Sequence, residues 1–181
     1  MSRQRCNDDK AFKALTFAVL TVSDSRTLDN DSSGDTLAER IESAGHRLAE
    51  RRLLPDNIFK LRAAVSAWIA DAAIDCVLIT GGTGITGRDS TPEAIQPLLV
   101  RDIPGFGELF RHYSLEEIGT STIQSRAFGG TANATLIFGL PGSTGACRTA
   151  WDRILGEQLD SRTGPCNFVS LIPRLNEGAA D

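Results

Sequence analysis

The stretch Thr80-Gly81-Gly82-Thr83-Gly84-Ile85-Thr86-Gly87-Arg88-Asp89-Ser90-Thr91-Pro92 joins a glycine-rich turn to a carboxylate and a helix start. Glycines after a strand leave backbone N–H groups unpaired, and those groups, with the positive end of a following helix, hold anionic oxygen such as phosphate. A loop that only held phosphate would gain nothing from Asp89, so the acid implies chemistry or a metal ion. Three other clusters of small and polar residues are placed in the same way, each after an apolar run: Ser23-Asp24-Ser25, Pro55-Asp56-Asn57 and Pro141-Gly142-Ser143-Thr144. One such turn is ordinary, whereas four point to one shared crevice.

Two better-known phosphate loops fail on this sequence. Gly82, Gly84 and Gly87 satisfy G-x-G-x-x-G, but a dinucleotide site wants the helix to open at once and an acid about 20 residues on, at the end of a second strand. Here Arg88-Asp89-Ser90 intervene, and the next acids lie in helical sequence. A P-loop needs Lys and Ser/Thr where Arg88-Asp89 stand, and a carboxylate there repels the phosphate it should cradle.

Among single residues, Asp89 reads as functional because it lies between a glycine nest and a helix start. Pro55-Asp56-Asn57 reads as an ordinary helix cap, which makes Asp56 structural on this ground alone. Asp24 and Asp31 fit turn and cap roles. Ser121 and Ser125-Arg126 form a polar patch compatible with a surface loop or a site wall. Arg88 and Arg126 are the arginines best placed to meet phosphate, since a guanidinium makes two parallel bonds to it. His46 and His112 carry no partner pattern, Trp68 and Trp151 sit on apolar helix faces, and Cys147 lacks a base to make it a nucleophile.

The elements that must position these residues alternate. Leu15–Val22, Leu48–Leu54, Cys76–Thr80 and Thr135–Leu140 read as strands, the first and last two as apolar runs covered on both faces. Helices are expected from about Gly34 to Ala44 with a Ser32/Asp35 capping box, after Asn57 with Leu61, Val65, Trp68 and Ile69 on one face, and near Pro92–Val100 with Thr91 as N-cap. Two more are expected over Gly107–Ile118 and around Trp151, and Asn167–Ile172 reads as a weak extended piece. This order predicts an α/β fold with a mostly parallel, doubly wound sheet, which binds ligands over the carboxyl ends of its strands.

With 181 residues the chain fits one well-buried domain, expected at 13–175 between tails at 1–12 and 176–181. A net charge of −4 without a Lys/Arg cluster argues against nucleic acid. Four scattered cysteines without C-x-x-C, and no apolar run near ~20 residues, read as a reduced cytoplasmic protein with no membrane span. Two histidines without H-E-x-x-H argue against zinc.

The motifs Thr80–Gly84, Arg88-Asp89-x-Thr91-Pro92-Glu93-Ala94, Pro104-Gly105-Phe106-Gly107-Glu108, Ser125-Arg126 and Leu140-Pro141-Gly142, in this order, resemble the MoaB/MogA family of molybdenum cofactor biosynthesis proteins. Val65–Ala70, Glu116–Ser121, Pro141–Trp151 and Arg162–Phe168 are similar to its MoaB branch, and the resemblance spans Leu15 to Leu171. It implies a three-layer α/β/α domain assembled as a trimer or hexamer, with other enzymes of the pathway as partners. Family adenylyltransferases transfer AMP from ATP to the terminal phosphate of molybdopterin, with Mg²⁺ assisting and pyrophosphate leaving. Their two acids align with Asp56 and Asp89; some MoaB-type members lack both, and this chain keeps both. Both acids hold Mg²⁺ on this reading, or Asp56 orients the attacking phosphate. The residues expected to bind phosphate, pterin or nucleotide are Ser23, Asp24, Gly81, Gly82, Thr83, Gly84, Arg88, Thr91, Glu93, Ser121, Ser125, Arg126, Pro141, Gly142 and Ser143. The competing expectation is a non-catalytic molybdopterin carrier of the same pathway.

Overall fold

Alternating side chains send two faces of one sheet into two separate cores. The computed structural model describes residues 10–177. Its strands are β1 (Thr16–Val22), β2 (Arg47–Leu54), β3 (Cys76–Thr80), β4 (Arg101–Asp102), β5 (Phe128–Ala132) and β6 (Thr135–Leu140). They form a six-stranded sheet in the order β2-β1-β3-β6-β5-β4. β2, β1, β3 and β6 run parallel, while β5 pairs antiparallel with both β6 and β4. Phe17, Val19, Cys76, Leu78, Leu136 and Phe138 face one core with Leu37, Ile41, Phe110 and Trp151. Ala18, Leu20, Val77, Ile79 and Ile137 face the other with Leu61, Val65, Trp68 and Ile95. The covering helices are α1 (Ser32–Ser43), α4 (Pro104–Ile118) and α5 (Thr144–Ala150) on the first face, and α2 (Ile58–Ala70) and α3 (Thr91–Ile95) on the second. A short α6 (Gly156–Gln158) follows α5 through a π-helical turn at Trp151–Leu155. The result is the expected three-layer α/β/α sandwich. Among the described residues, no helix is long and apolar enough to cross a membrane.

Several local expectations are corrected. The cap of α1 is Asp31, whose carboxylate accepts from Gly34 N at 3.0 Å, and the helix starts at Ser32. Asn57 alone caps α2, accepting from Phe59 N and Lys60 N at 3.1 Å each, which frees the Asp56 carboxylate. Ser90, not Thr91, is the N-cap position of α3, which ends after five residues and continues as a 3₁₀ turn. Asn167–Ile172 is a turn, with Asn167 Nδ2 donating to Thr163 O at 2.8 Å and Ser170 N donating to Asn167 Oδ1 at 2.9 Å. β5 was not anticipated because Gly129 and Gly130 lower strand propensity. Both are small for packing reasons: a Cβ would strike the Phe138 ring at the first and Leu99 at the second. Of the expected N-terminal tail, residues 1–9 lie outside the described residues, but Ala11 and Phe12 are docked. Ser161 Oγ donates to Ala11 O at 3.1 Å, and the Phe12 ring stands 5.1 Å from that of His46. Of the C-terminal tail, residues 178–181 lie outside the described residues.

Asp31, the cap of α1, is fully buried. Thr21 Oγ1 donates to it at 2.7 Å and Arg51 Nη2 at 2.7 Å. Burial raises this carboxyl, but the bonds from Thr21, Arg51 and Gly34 outweigh it and hold Asp31 below the usual carboxylate value. A lowered native value means that the stabilisation is full above the unfolded value of about 4 and is lost as pH falls through the native one. Asp31→Asn is therefore expected to cost about 3 kcal/mol at pH 7 and to flatten the acid limb of the stability profile. Urea unfolding of both proteins from pH 7 to pH 3 checks this.

Candidate functional site

The chain leaves β1 toward β2 on one side and returns to β3 on the other, so the strand order reverses between β1 and β3. Such a reversal parts the loops at the carboxyl ends of the strands and opens a crevice. The register sets Thr21 beside Thr80 and Thr80 beside Leu140, which brings the loops after β1, β3 and β6 together. The crevice there has a volume of about 380 Å³ and includes Ser23, Gly81–Gly84, Asp89, Pro141 and Gly142 among its lining residues.

The loop after β3 is built so that its carbonyls are engaged while two amides of the glycine turn are left open. Gly81 and Gly82 take φ of +103° and +63°, a region L side chains rarely adopt. Thr91 Oγ1 donates to Gly81 O at 2.8 Å, Thr91 N to Gly82 O at 2.9 Å, and Arg126 N to Thr83 O at 3.1 Å. Arg126 Nε donates to Gly84 O at 2.7 Å, and its Nη2 to Asp89 O at 2.7 Å. Among the described residues, no protein acceptor takes the Gly82 or Thr83 N–H. Amides held in this way form an anion nest. The five-residue α3 is too short to add the helix field expected from sequence.

Asp89 folds back on the same loop, accepting from Thr86 N at 2.9 Å and Thr86 Oγ1 at 2.6 Å. Burial raises its carboxyl, but Thr86, Gly84 and the Arg126 charge hold it below the usual value, so it is an anion at neutral pH. Asp56, freed from capping, accepts from Ser90 Oγ and from Ser90 N at 3.2 Å. Its backbone N–H donates to Asp24 Oδ1 at 3.1 Å, and Asp24 in turn pairs with Arg88. That pairing, by a hydrogen bond from Arg88 above all, lowers the Asp24 carboxyl. Asp24, Arg88, Asp56 and Ser90 thus form one connected rim beside the glycine turn.

Other expected residues fall elsewhere. Thr91 is fully buried under the loop and supports it without lining the crevice. Arg126 was expected to meet phosphate, but its guanidinium is committed to two loop carbonyls and to Glu93. Ser121, Ser125 and Ser143 line a neighbouring cavity of about 210 Å³ that shares Pro141 with the crevice. Arg26 was missed: it lines the crevice, and its position directly after Ser23-Asp24-Ser25 was the signal available in the sequence.

Cys147 is fully buried against Thr80 Oγ1 at 3.3 Å, and burial pushes its thiol up to about 11. At pH 7.5 iodoacetamide is expected to label the exposed Cys166 and to spare Cys147 until the chain is unfolded. Peptide mass spectrometry reads the outcome.

A doubly wound sheet with a glycine nest at its carboxyl edge, an acid in that loop and a second acid at its rim defines a class of α/β proteins with an anion-binding crevice. Residues 18–161 match the family described as "Probable molybdopterin binding domain". The sequence is 55% identical over 157 residues to Molybdenum cofactor biosynthesis protein B of Escherichia coli K12, covering 87% of this chain and 92% of that protein. A crystal structure of a Molybdenum cofactor biosynthesis protein B superposes with a TM-score of 0.78 at 43% identity, covering 81% of this chain and 91% of that one. The tungsten cofactor synthesizing protein MoaB from Pyrococcus furiosus superposes with a TM-score of 0.72 at 35% identity, covering 81% and 94%. The chain belongs to the MoaB family of molybdenum cofactor biosynthesis proteins.

Proposed function

We propose that this chain binds molybdopterin and adenylylates its terminal phosphate with Mg-ATP. A phosphate oxygen of the pterin attacks the α-phosphorus of ATP, a new P–O bond forms, the α–β bridging P–O bond breaks, and pyrophosphate leaves. The observation that supports this reading is the pairing of free amides at Gly82 and Thr83 with two acids, neither of which caps a helix. A carrier of a phosphorylated pterin gains only repulsion from those acids.

Attack of one phosphate on another is limited by bringing two anions together in line. The Gly82 and Thr83 amides hold phosphate oxygen without using a flexible side chain, and Gly81 and Gly82 let the backbone come close. Asp89, anionic and tied to Thr86, keeps a fixed carboxylate on the crevice wall. Asp56 is held in register with it through Ser90, the next residue after Asp89. Among the described residues, no group of three or more His, Cys, Asp or Glu side chains could hold a metal. Two carboxylates suit Mg²⁺, which is commonly held by one or two carboxylates together with substrate phosphates. Asp56 and Asp89 would hold it, and when bound it offsets charge between the phosphates and on the leaving pyrophosphate.

A single-turnover assay with molybdopterin, ATP and Mg²⁺, read by mass spectrometry, tests the proposal. Adenylylated pterin is the expected product; pterin binding without product replaces the enzyme with the carrier.

A further inference from the structure

Two charged side chains line the crevice among the described residues: Asp89 and Arg26. Both arginines expected from sequence are already engaged, Arg126 by the loop carbonyls and Glu93, and Arg88 by Asp24. Arg26 differs from them. Its Nη1 donates to Ser33 Oγ at 2.9 Å and lies 3.7 Å from Asp31 Oδ1. Among the described residues, its Nε and Nη2 have no protein acceptor. The tether is itself fixed, because Ser33 is buried and its Oγ donates to Gly142 O at 2.8 Å. Asp31, buried behind, already takes its closest ion pair from Arg51 at 2.7 Å, against 3.7 Å for Arg26. A guanidinium anchored on one nitrogen, with two others free on the wall of an anion crevice, is preorganised for a phosphate fork.

We infer that Arg26 is the side-chain cation of the crevice, binding the phosphate oxygens of the ligand together with the glycine amides. This rests on the reading of the crevice as a phosphate site, and it deepens that reading by naming the residue that supplies the positive charge. The same Arg26–Ser33–Gly142 chain ties the loop after β1 to the loop after β6, so ligand held by Arg26 also steadies the turn at Gly142.

The test is calorimetric titration of the full chain with inorganic pyrophosphate, at low and high NaCl, with thermal melts alongside. R26Q is expected to weaken binding by at least about tenfold and to flatten the salt dependence, because a charge-assisted contact is lost. R26K is expected to recover part of the affinity, since it keeps charge and loses the fork. R174Q, the same loss of charge outside the crevice lining, is expected to bind as the unmodified chain does. An unchanged dissociation constant in R26Q, an equal loss in R174Q, or no pyrophosphate binding by the unmodified chain would each overturn the inference. If R26Q does not fold, R26K carries the test: a weakening of about threefold or more supports the role, and an unchanged constant refutes it. Arg26-dependent pyrophosphate binding without adenylylation would discard the enzyme and keep the inference. Adenylylation with R26Q indistinguishable from the unmodified chain in binding and turnover would do the reverse.

Discussion

Asp89→Asn is expected to lower adenylyl transfer by about a thousandfold while leaving the fold in place. The asparagine keeps one acceptor for Thr86, whose N and Oγ1 now donate to Asp89 Oδ2 at 2.9 and 2.6 Å. The loop carbonyls stay engaged through Thr91 and Arg126, whose bonds go to backbone oxygens and not to the Asp89 carboxylate. Unfolding free energy should therefore change by less than about 1 kcal/mol. What disappears is an anion on the crevice wall, and with it the group that offsets and orients phosphate through Mg²⁺. Single-turnover kinetics beside a urea titration separates the two effects. A mutant with full turnover would remove Asp89 from the mechanism, and a mutant that unfolds would make it a structural residue.

The second large effect comes from a residue with no side chain. Gly82 has φ +63°, and a Cβ there would collide with Thr91 Oγ1 and stand 2.6 Å from Asp56 Oδ2. Thr91 is fully buried and cannot swing away, so Asp56 must move. Gly82→Ala is expected to cost about 2–3 kcal/mol from the strained backbone and the clash. Displacement of Asp56 is expected to lower turnover by about a hundredfold beyond any loss of folded protein. Gly87→Ala is the control, because a Cβ at Gly87 meets nothing within 4 Å. Equal stability and turnover in the two variants would show that close approach at Gly82 has no role.

Both expectations concern a loop that was legible from the chain alone, and the reason is local. Gly81 and Gly82, an apolar run before them and Thr91-Pro92 after them constrain backbone conformation over a few residues. The buried strands were legible for a similar reason, since β1, β3 and β6 are apolar on both faces and only a covered parallel sheet accepts that pattern. β5 was hidden because its glycines answer to Phe138 and Leu99, residues far off in sequence. Capping was misplaced by one residue at α1 and α3, because several neighbouring Ser, Thr and Asp side chains can all cap and packing selects among them.

Arginine use shows where local information ends. Arg126 and Arg88 were matched to phosphate by residue type, but a guanidinium binds whichever acceptors the fold brings to it. For Arg126 these are Gly84 O, Asp89 O and Glu93, contributed by the loop after β3 and by α3, more than thirty positions away. Arg26 was passed over in a run of polar residues, and becomes prominent because β1 and β6 flank β3 and set Ser33 against Gly142. Asp56 shows the same dependence in the opposite direction. Its neighbour Asn57 takes the cap, and the strand order carries its carboxylate to Ser90. Residue type and spacing decide the conformation of a turn and the chemistry it can offer, because both act within a few bonds. Which charges remain free to meet a ligand is settled only when distant segments meet, because pairing depends on distance in space.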